Sequence, residues 1–259
     1  MYTEMTATAV SAALKAGRLL KDNFGGVRSI EYKGAVDLVT EMDRASEDVI
    51  LQEILKVYPD HGILTEESAE AVSSSPFRWI IDPIDGTTNY AHGFPVFCVS
   101  IALEVSGTVV YGCVYNPMLD ELFTARKGGG AFLNGRPIHV SSIPHINSSL
   151  LATGFPYDIR TSKTTNLEHF AAFAKRAQAI RRAGSAALDL SYVACGRFDG
   201  FWEIKLNPWD VAAAAIIVIE AGGTITDFKG AAFSMHGNEC LASNSLIHDE
   251  MLGLLSENL

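Results

Sequence analysis

Trp79-Ile80-Ile81-Asp82-Pro83-Ile84-Asp85-Gly86-Thr87-Thr88 is the stretch whose reading decides the fold. Large apolar residues ahead of two carboxylates three positions apart predict a strand that delivers both acids to its carboxyl end, where α/β proteins place ligands. Pro83 restricts the backbone between them, and Gly86 lets a ligand approach the main chain. Thr87 and Thr88 suit the opening of a helix whose free N–H groups would face a phosphate. A strand end followed by an ordinary Asp/Gly turn is the competing reading. The apolar approach and the two threonines weigh against it.

Working outward, further acids supply what a hard divalent cation needs: carboxylate oxygens converging from separate segments. Glu66 and Glu67 follow the apolar run Gly62-Ile63-Leu64. Alone they would be a solvated loop, and Glu66 becomes a candidate only because Asp82 and Asp85 exist. Asp210 lies in Asn207-Pro208-Trp209-Asp210, where Asn and then Pro mark a helix start. Residues 211–219 are all apolar, so that helix is expected to be buried. Asp210 then either faces the helix dipole or takes a metal as partner at the helix mouth. Asp43 either caps a helix or works with Thr87 to orient and deprotonate a water whose pKa a metal has lowered. Asp37 lies upstream, and Lys33 reads as solvated surface. Seven histidines without HxxxH or HExxH spacing disfavour zinc. No GxGxxG or P-loop occurs, Ser185 lacks a nucleophile-elbow GxSxG, and Gly128-Gly129-Gly130 reads as a turn.

The 259 residues carry 20 Lys plus Arg against 30 Asp plus Glu, a formal charge of −10 at pH 7. That balance argues against nucleic acid or anionic membrane held through bulk electrostatics. Cys98, Cys113, Cys195 and Cys240 form no CxxC pair, which points to a reducing, cytoplasmic setting. The first twenty residues lack the basic-then-apolar pattern of an export signal. The longest apolar run is about half of the ~20 residues a membrane span needs, so no membrane association is expected.

Apolar residues at helical spacing from Met5 to Phe24, closed by Gly25-Gly26, predict a first helix. A second is predicted over residues 43–58, with Pro59 just beyond. Residues 78–81, 96–105, 108–115 and 121–125 predict short strands, with a hairpin turn at Ser106-Gly107. Past residue 145 the expected order is a strand at 150–153, helices at 164–177 and 185–195, a strand at 200–204, and a helix at 208–221. A strand near Leu241 and a helix at 248–256 complete it. The fold class is therefore α/β, with an α+β N-terminal half of antiparallel pairing and an α/β C-terminal half. Segment 141–149, rich in Ser with Pro144 and Asn147, sets the expected domains at 1–145 and 146–259.

Together these residues resemble the inositol monophosphatases, a family of magnesium-dependent, lithium-sensitive phosphatases, and the bacterial inositol-1-monophosphatases in particular. The resemblance rests on Glu66-Glu67, residues 79–89 and Trp209-Asp210, in that order. Residues 36–40, Gly184-Ser185-Ala186-Ala187 and Glu220-Ala221-Gly222-Gly223 support it. Thr65 departs, standing where many members carry Gly. The resemblance implies a layered αβαβα sandwich of the sugar phosphatase type, with the site between the halves. It implies one Mg²⁺ on Glu66, Asp82 and the Ile84 carbonyl, a second on Asp82, Asp85 and Asp210, and a weaker third near Glu66. Li⁺ would inhibit. Phosphate is implied against the N–H groups of Gly86 and Thr87, with Asp43, Thr87 and Glu66 as the catalytic set. The implied substrate wall adds Ile84, Asp85, Gly184, Ser185, Ala186, Asp210 and Glu203, which would grip inositol hydroxyls. The implied activity is hydrolysis of myo-inositol monophosphate by a cytoplasmic homodimer. One alternative keeps the chemistry and changes the ester to fructose 1,6-bisphosphate, histidinol phosphate or a 3′-phosphoadenosine nucleotide. The other is a non-catalytic partner of transcription or ribosomal RNA maturation machinery.

Overall fold

The computed structural model describes residues 2–26, 30–32 and 38–256; Lys33, Val36 and Asp37 lie outside these. The chain runs α1 (Tyr2–Asp22), β1 (Ile30–Tyr32), β2 (Leu38–Thr40), α2 (Glu41–Leu55), β3 (Gly62–Thr65), β4 (Phe77–Asp85) and α3 (Thr87–Ala91). A meander follows: β5 (Cys98–Val105), β6 (Thr108–Asn116), β7 (Glu121–Arg126), β8 (Ala131–Leu133) and β9 (Arg136–Ile138). Then come β10 (Leu150–Thr153), α4 (Leu167–Ala174), β11 (Ala179–Arg181), α5 (Ala186–Ala194), β12 (Gly200–Ile204), α6 (Pro208–Glu220), β13 (Thr224–Thr226), β14 (Glu239–Ser243) and α7 (His248–Ser256).

Strands β3 to β9 form one seven-stranded sheet in chain order, and β11-β10-β12-β14-β13 form a five-stranded one. The period-2 alternation of β4 shows how the layers are built. Trp79 and Ile81 turn to one face, where they meet Ala9, Ala13 and Leu20 of α1 and Ile50 of α2. Ile80 turns to the other and joins Leu188 of α5, Ala213 and Ile217 of α6, and Phe201 and Ala242 of the smaller sheet. The far face of that sheet, Trp202 and Leu241, packs against Phe173 of α4 and Met251 and Leu255 of α7. The order is helix, sheet, helix, sheet, helix, which is the expected αβαβα sandwich. The alanines of α6 let it lie directly on the sheet. A Cβ at Gly112 of β6 would come within 2.2 Å of the Ala213 carbonyl oxygen.

Several elements differ from expectation for identifiable reasons. β4 continues through Pro83 to Asp85, because the pairing with β5 shifts register between Asp82 and Asp85, and Pro83 falls in that irregularity. α2 begins at Glu41 rather than residue 43, since Thr40 caps it. α4 is shorter than the expected 164–177. Asn166 precedes it in the left-handed region (φ 69°), with its side chain engaged by Gly154 and Trp202 instead of extending the helix. The C-terminal half is a mixed sheet, parallel at β10/β11 and β10/β12 and antiparallel at β12/β14 and β13/β14. Among the described residues, no helix is long and apolar enough to cross a membrane.

Candidate active site

The carboxyl end of β4 and the amino ends of α5 and α6 open onto a cleft of about 260 Å³. Of the residues singled out from the sequence, Asp85, Gly86, Gly184, Ser185, Ala186, Glu203 and Asp210 line it. Asp43, Asp82 and Thr87 lie buried beside Asp85. Ile84 is buried too and turns its carbonyl to the Thr87 hydroxyl at 3.0 Å, while Glu66 is half-buried at the end of β3.

Each acid of the β4 end is held by its own local structure. Asp82 accepts the Ile84 N–H at 3.0 Å through Oδ1. Asp85 Oδ2 accepts the Ser185 hydroxyl and the Ala187 N–H, both at 2.7 Å, so it sits at the amino end of α5. Ser185 itself caps that helix by accepting the Leu188 N–H. Gly86 has φ 104°, and a Cβ there would come within 2.9 Å of the Val96 carbonyl oxygen, so only glycine fits this turn. Asn89 ties the turn across the cleft, donating through Nδ2 to the carbonyls of Val96 (2.7 Å) and Ala183 (2.8 Å).

The alternatives weighed for Asp43 and Asp210 prove compatible. Asp43 caps α2 through Oδ2, which accepts the N–H and the hydroxyl of Thr40 at 2.7 Å each. Its Oδ1 accepts the Thr87 hydroxyl at 2.8 Å. Asp210 accepts the Asn207 N–H at 2.7 Å in the first turn of α6 and still lines the cleft.

Electrostatics show what such a cluster lacks. Burial pushes the Asp82 carboxyl well above the usual range, and the charges of Glu66, Asp85, Asp210 and Asp43 push it further. Asp210 is raised by burial and then by Asp85. Asp85 is raised to about 6 by burial, against the pull of Ser185 and Ala187. Glu203 is raised to about 8 by burial, with Arg182 opposing and Asp85 reinforcing. These are hard oxygen donors whose mutual repulsion a divalent cation would relieve, and Mg²⁺ fits that donor chemistry. Among the described residues no three His, Cys, Asp or Glu side chains are drawn together as a metal-binding group. The fit is therefore one of donor type, burial and charge.

Sequence reasoning missed three residues here. Asp189 is buried one turn after Ser185 on α5 and lines the cleft, and its Oδ1 has no hydrogen-bond partner. Its i, i+4 spacing from Ser185 was the available signal. Arg182 lines the same wall. Cys98 places Sγ 3.8 Å from Asp85 Oδ2, a contact only the tertiary fold reveals.

The chain is 46% identical to an inositol-1-monophosphatase of Synechocystis over 94% of its own length and 85% of the relative's. It is 43% identical to the Nus factor SuhB of Escherichia coli, covering 97% of this chain and 95% of that one. The solved inositol monophosphatase of Anabaena superposes with a TM-score of 0.91 at 41% identity, covering 100% of this chain and 97% of the other. A model of the inositol monophosphatase family matches residues 1–259, and the chain belongs to that family.

Proposed function

We infer that the protein is a phosphatase that hydrolyses myo-inositol monophosphate to inositol and phosphate, with Mg²⁺ as its resident ion. The observation that carries this reading is that Asp85 of β4 and Asp210 of α6 line one cleft while the charges of Glu66, Asp85, Asp210 and Asp43 all act on buried Asp82, with the Thr87 hydroxyl bonded to Asp43. Glu66, Asp82 and the Ile84 carbonyl would hold one ion. Asp82, Asp85 and Asp210 would hold a second, and Glu66 would share a weaker third. When bound, Mg²⁺ supplies positive charge to the phosphate oxygens and lowers the pKa of water.

The chain's own residues do the rest. Asp43 is fixed by Thr40 and holds the Thr87 hydroxyl at 2.8 Å, so Thr87 Oγ1 can take a proton from a water while passing its own to Asp43. Glu66 would help orient that water. The Gly86 and Thr87 N–H groups bind phosphate. Gly184, Ser185 and Ala186 flank the ring, and Ser185 keeps Asp85 in place. Glu203, pushed up to about 8, can both donate to and accept from a ring hydroxyl at neutral pH. We also propose a cytoplasmic homodimer, inhibition by Li⁺, and halves divided near residue 145 with the cleft between them.

The relative named Nus factor SuhB favours a second reading, a role beside the transcription machinery. The acids are all present here, which an interaction role alone does not require, so such a role would accompany catalysis. The test is phosphate release with Mg²⁺ from inositol 1-phosphate, fructose 1,6-bisphosphate, histidinol phosphate and 3′-phosphoadenosine 5′-phosphate. Inositol 1-phosphate should be turned over with the highest kcat/KM. Preference for another ester would reassign the substrate, and no turnover of any would leave the interaction role.

A further inference from the structure

Glu47 lies one helical turn beyond Asp43 on the same face of α2 and is buried. It belongs to no part of the catalytic or metal-binding set proposed above. Its carboxylate points toward the segment that carries Glu66. Oε2 accepts the Thr65 hydroxyl at 2.6 Å and the Glu67 N–H at 3.3 Å, and Oε1 accepts the Ser68 hydroxyl. One carboxylate thus holds the residue before Glu66 and the two after it. Beside it, Ser46 donates to the Pro83 carbonyl at 2.8 Å, between Asp82 and Ile84, and Asp43 holds Thr87. A single buried face of α2 therefore ties together two segments far apart in the chain: residues 65–68 and residues 82–87.

Glu66 needs this more than the other acids. Asp82 and Asp85 are fixed within the inner strand β4, flanked by β3 and β5, and Asp210 within the first turn of α6. Glu66 sits where the edge strand β3 ends and an eleven-residue connection to β4 begins. Nothing in the sheet ladder fixes residues 66–68, since the register of β3 on β4 stops at Thr65. We propose that Glu47 is a positioning residue that sets the reach of Glu66 toward Asp82, with Thr65 as its main handle. The departure at Thr65 then has a physical reason, because a glycine there would offer Glu47 no hydroxyl.

This inference rests on the metal reading above, and its test separates the two. Mg²⁺ binding is titrated by calorimetry, and by the rise in melting temperature, for the wild type, Glu47→Gln, Thr65→Val, Thr65→Ser and the Glu47→Gln/Thr65→Val double variant. Valine keeps the β-branched shape and removes the donor, whereas serine keeps the donor. Glu47→Gln should weaken Mg²⁺ binding roughly tenfold, the scale expected of residues that orient metal ligands. Thr65→Val should weaken it about threefold, Thr65→Ser should match the wild type, and the double variant should be no worse than Glu47→Gln alone. At saturating Mg²⁺, KM for inositol 1-phosphate should be unchanged. If Glu47→Gln fails to fold, the Thr65→Val and Thr65→Ser pair still decides. Variants that lose metal-free melting temperature but bind Mg²⁺ like the wild type would overturn the positioning role alone. A wild type that binds no Mg²⁺ would overturn this inference together with the metal reading.

Discussion

The two walls of the cleft hold their acids differently. On the β4 side, Asp43, Asp82 and Asp85 each accept hydrogen bonds from the fold: Thr40 and Thr87, Ile84, and Ser185 and Ala187. On the far side, Glu203 is buried in the cleft lining, and Asp189 leaves Oδ1 unpartnered among the described residues. Buried polar groups normally find partners, and an unsatisfied one costs free energy. One wall is set before any ligand arrives. The other has hydrogen-bonding capacity that a polyol can fill. In the proposed mechanism, chemistry that needs fixed geometry is assigned to the first wall and recognition to the second.

The largest expected effect breaks the first wall. Asp82→Asn removes the acid assigned to both principal ions and should lower kcat/KM for inositol 1-phosphate by about 10³-fold. Full activity in that variant would place the metal elsewhere. Thr87→Val keeps the side-chain shape but deletes the hydroxyl between Asp43 and the proposed water. A loss of about 10²-fold in kcat, with KM nearly constant, is expected from steady-state kinetics. A change confined to KM would make Thr87 a binding group.

A smaller effect sharpens the contrast from the far wall. A hydrogen bond between neutral groups is worth about 0.5–1.5 kcal/mol, so Glu203→Ala, which removes both donor and acceptor, should cost about one order of magnitude on inositol 1-phosphate. A small aryl phosphate, which has no ring hydroxyls, should be hydrolysed almost as before. Equal losses on both substrates would move Glu203 to the chemical wall.

The smallest effect is on stability. In the folded state Asp85 and Glu203 titrate at about 6 and about 8, both above the ordinary carboxylate range. The folded protein therefore holds protons that the unfolded chain has released. This contribution is fully present below about pH 4 and is lost as pH rises through 6 and then 8. The melting temperature of chelated protein should fall across that window, and Glu203→Gln should flatten its upper part. A melting temperature that rises between pH 6 and 8 would contradict these environments.

What the sequence disclosed follows the same division. The β4 wall was legible because its chemistry is local. Asp82, Asp85, Gly86 and Thr87 fall within six consecutive positions, and the apolar run before them announces a buried strand. Asp43 read equally as a cap and as a catalytic partner, and its two oxygens divide between capping α2 and accepting the Thr87 hydroxyl. Glu47 was invisible, since a glutamate in an amphipathic helix reads as solvent-facing until Thr65 and Ser68 are brought to it. Asp189 and Arg182 were missed because only tertiary packing sets them opposite Glu203. Strands β8, β9, β11 and β13 run three residues each, too short for a period-2 pattern to stand out.

The central claim, that acids held rigidly by the fold work through Mg²⁺ on an inositol phosphate, is tested most directly by one titration. Phosphate release from inositol 1-phosphate is followed after complete chelation and then across added Mg²⁺. The account predicts no turnover in excess chelator and full, saturable recovery with Mg²⁺. Turnover that persists in chelator, or that Mg²⁺ fails to restore, would contradict it.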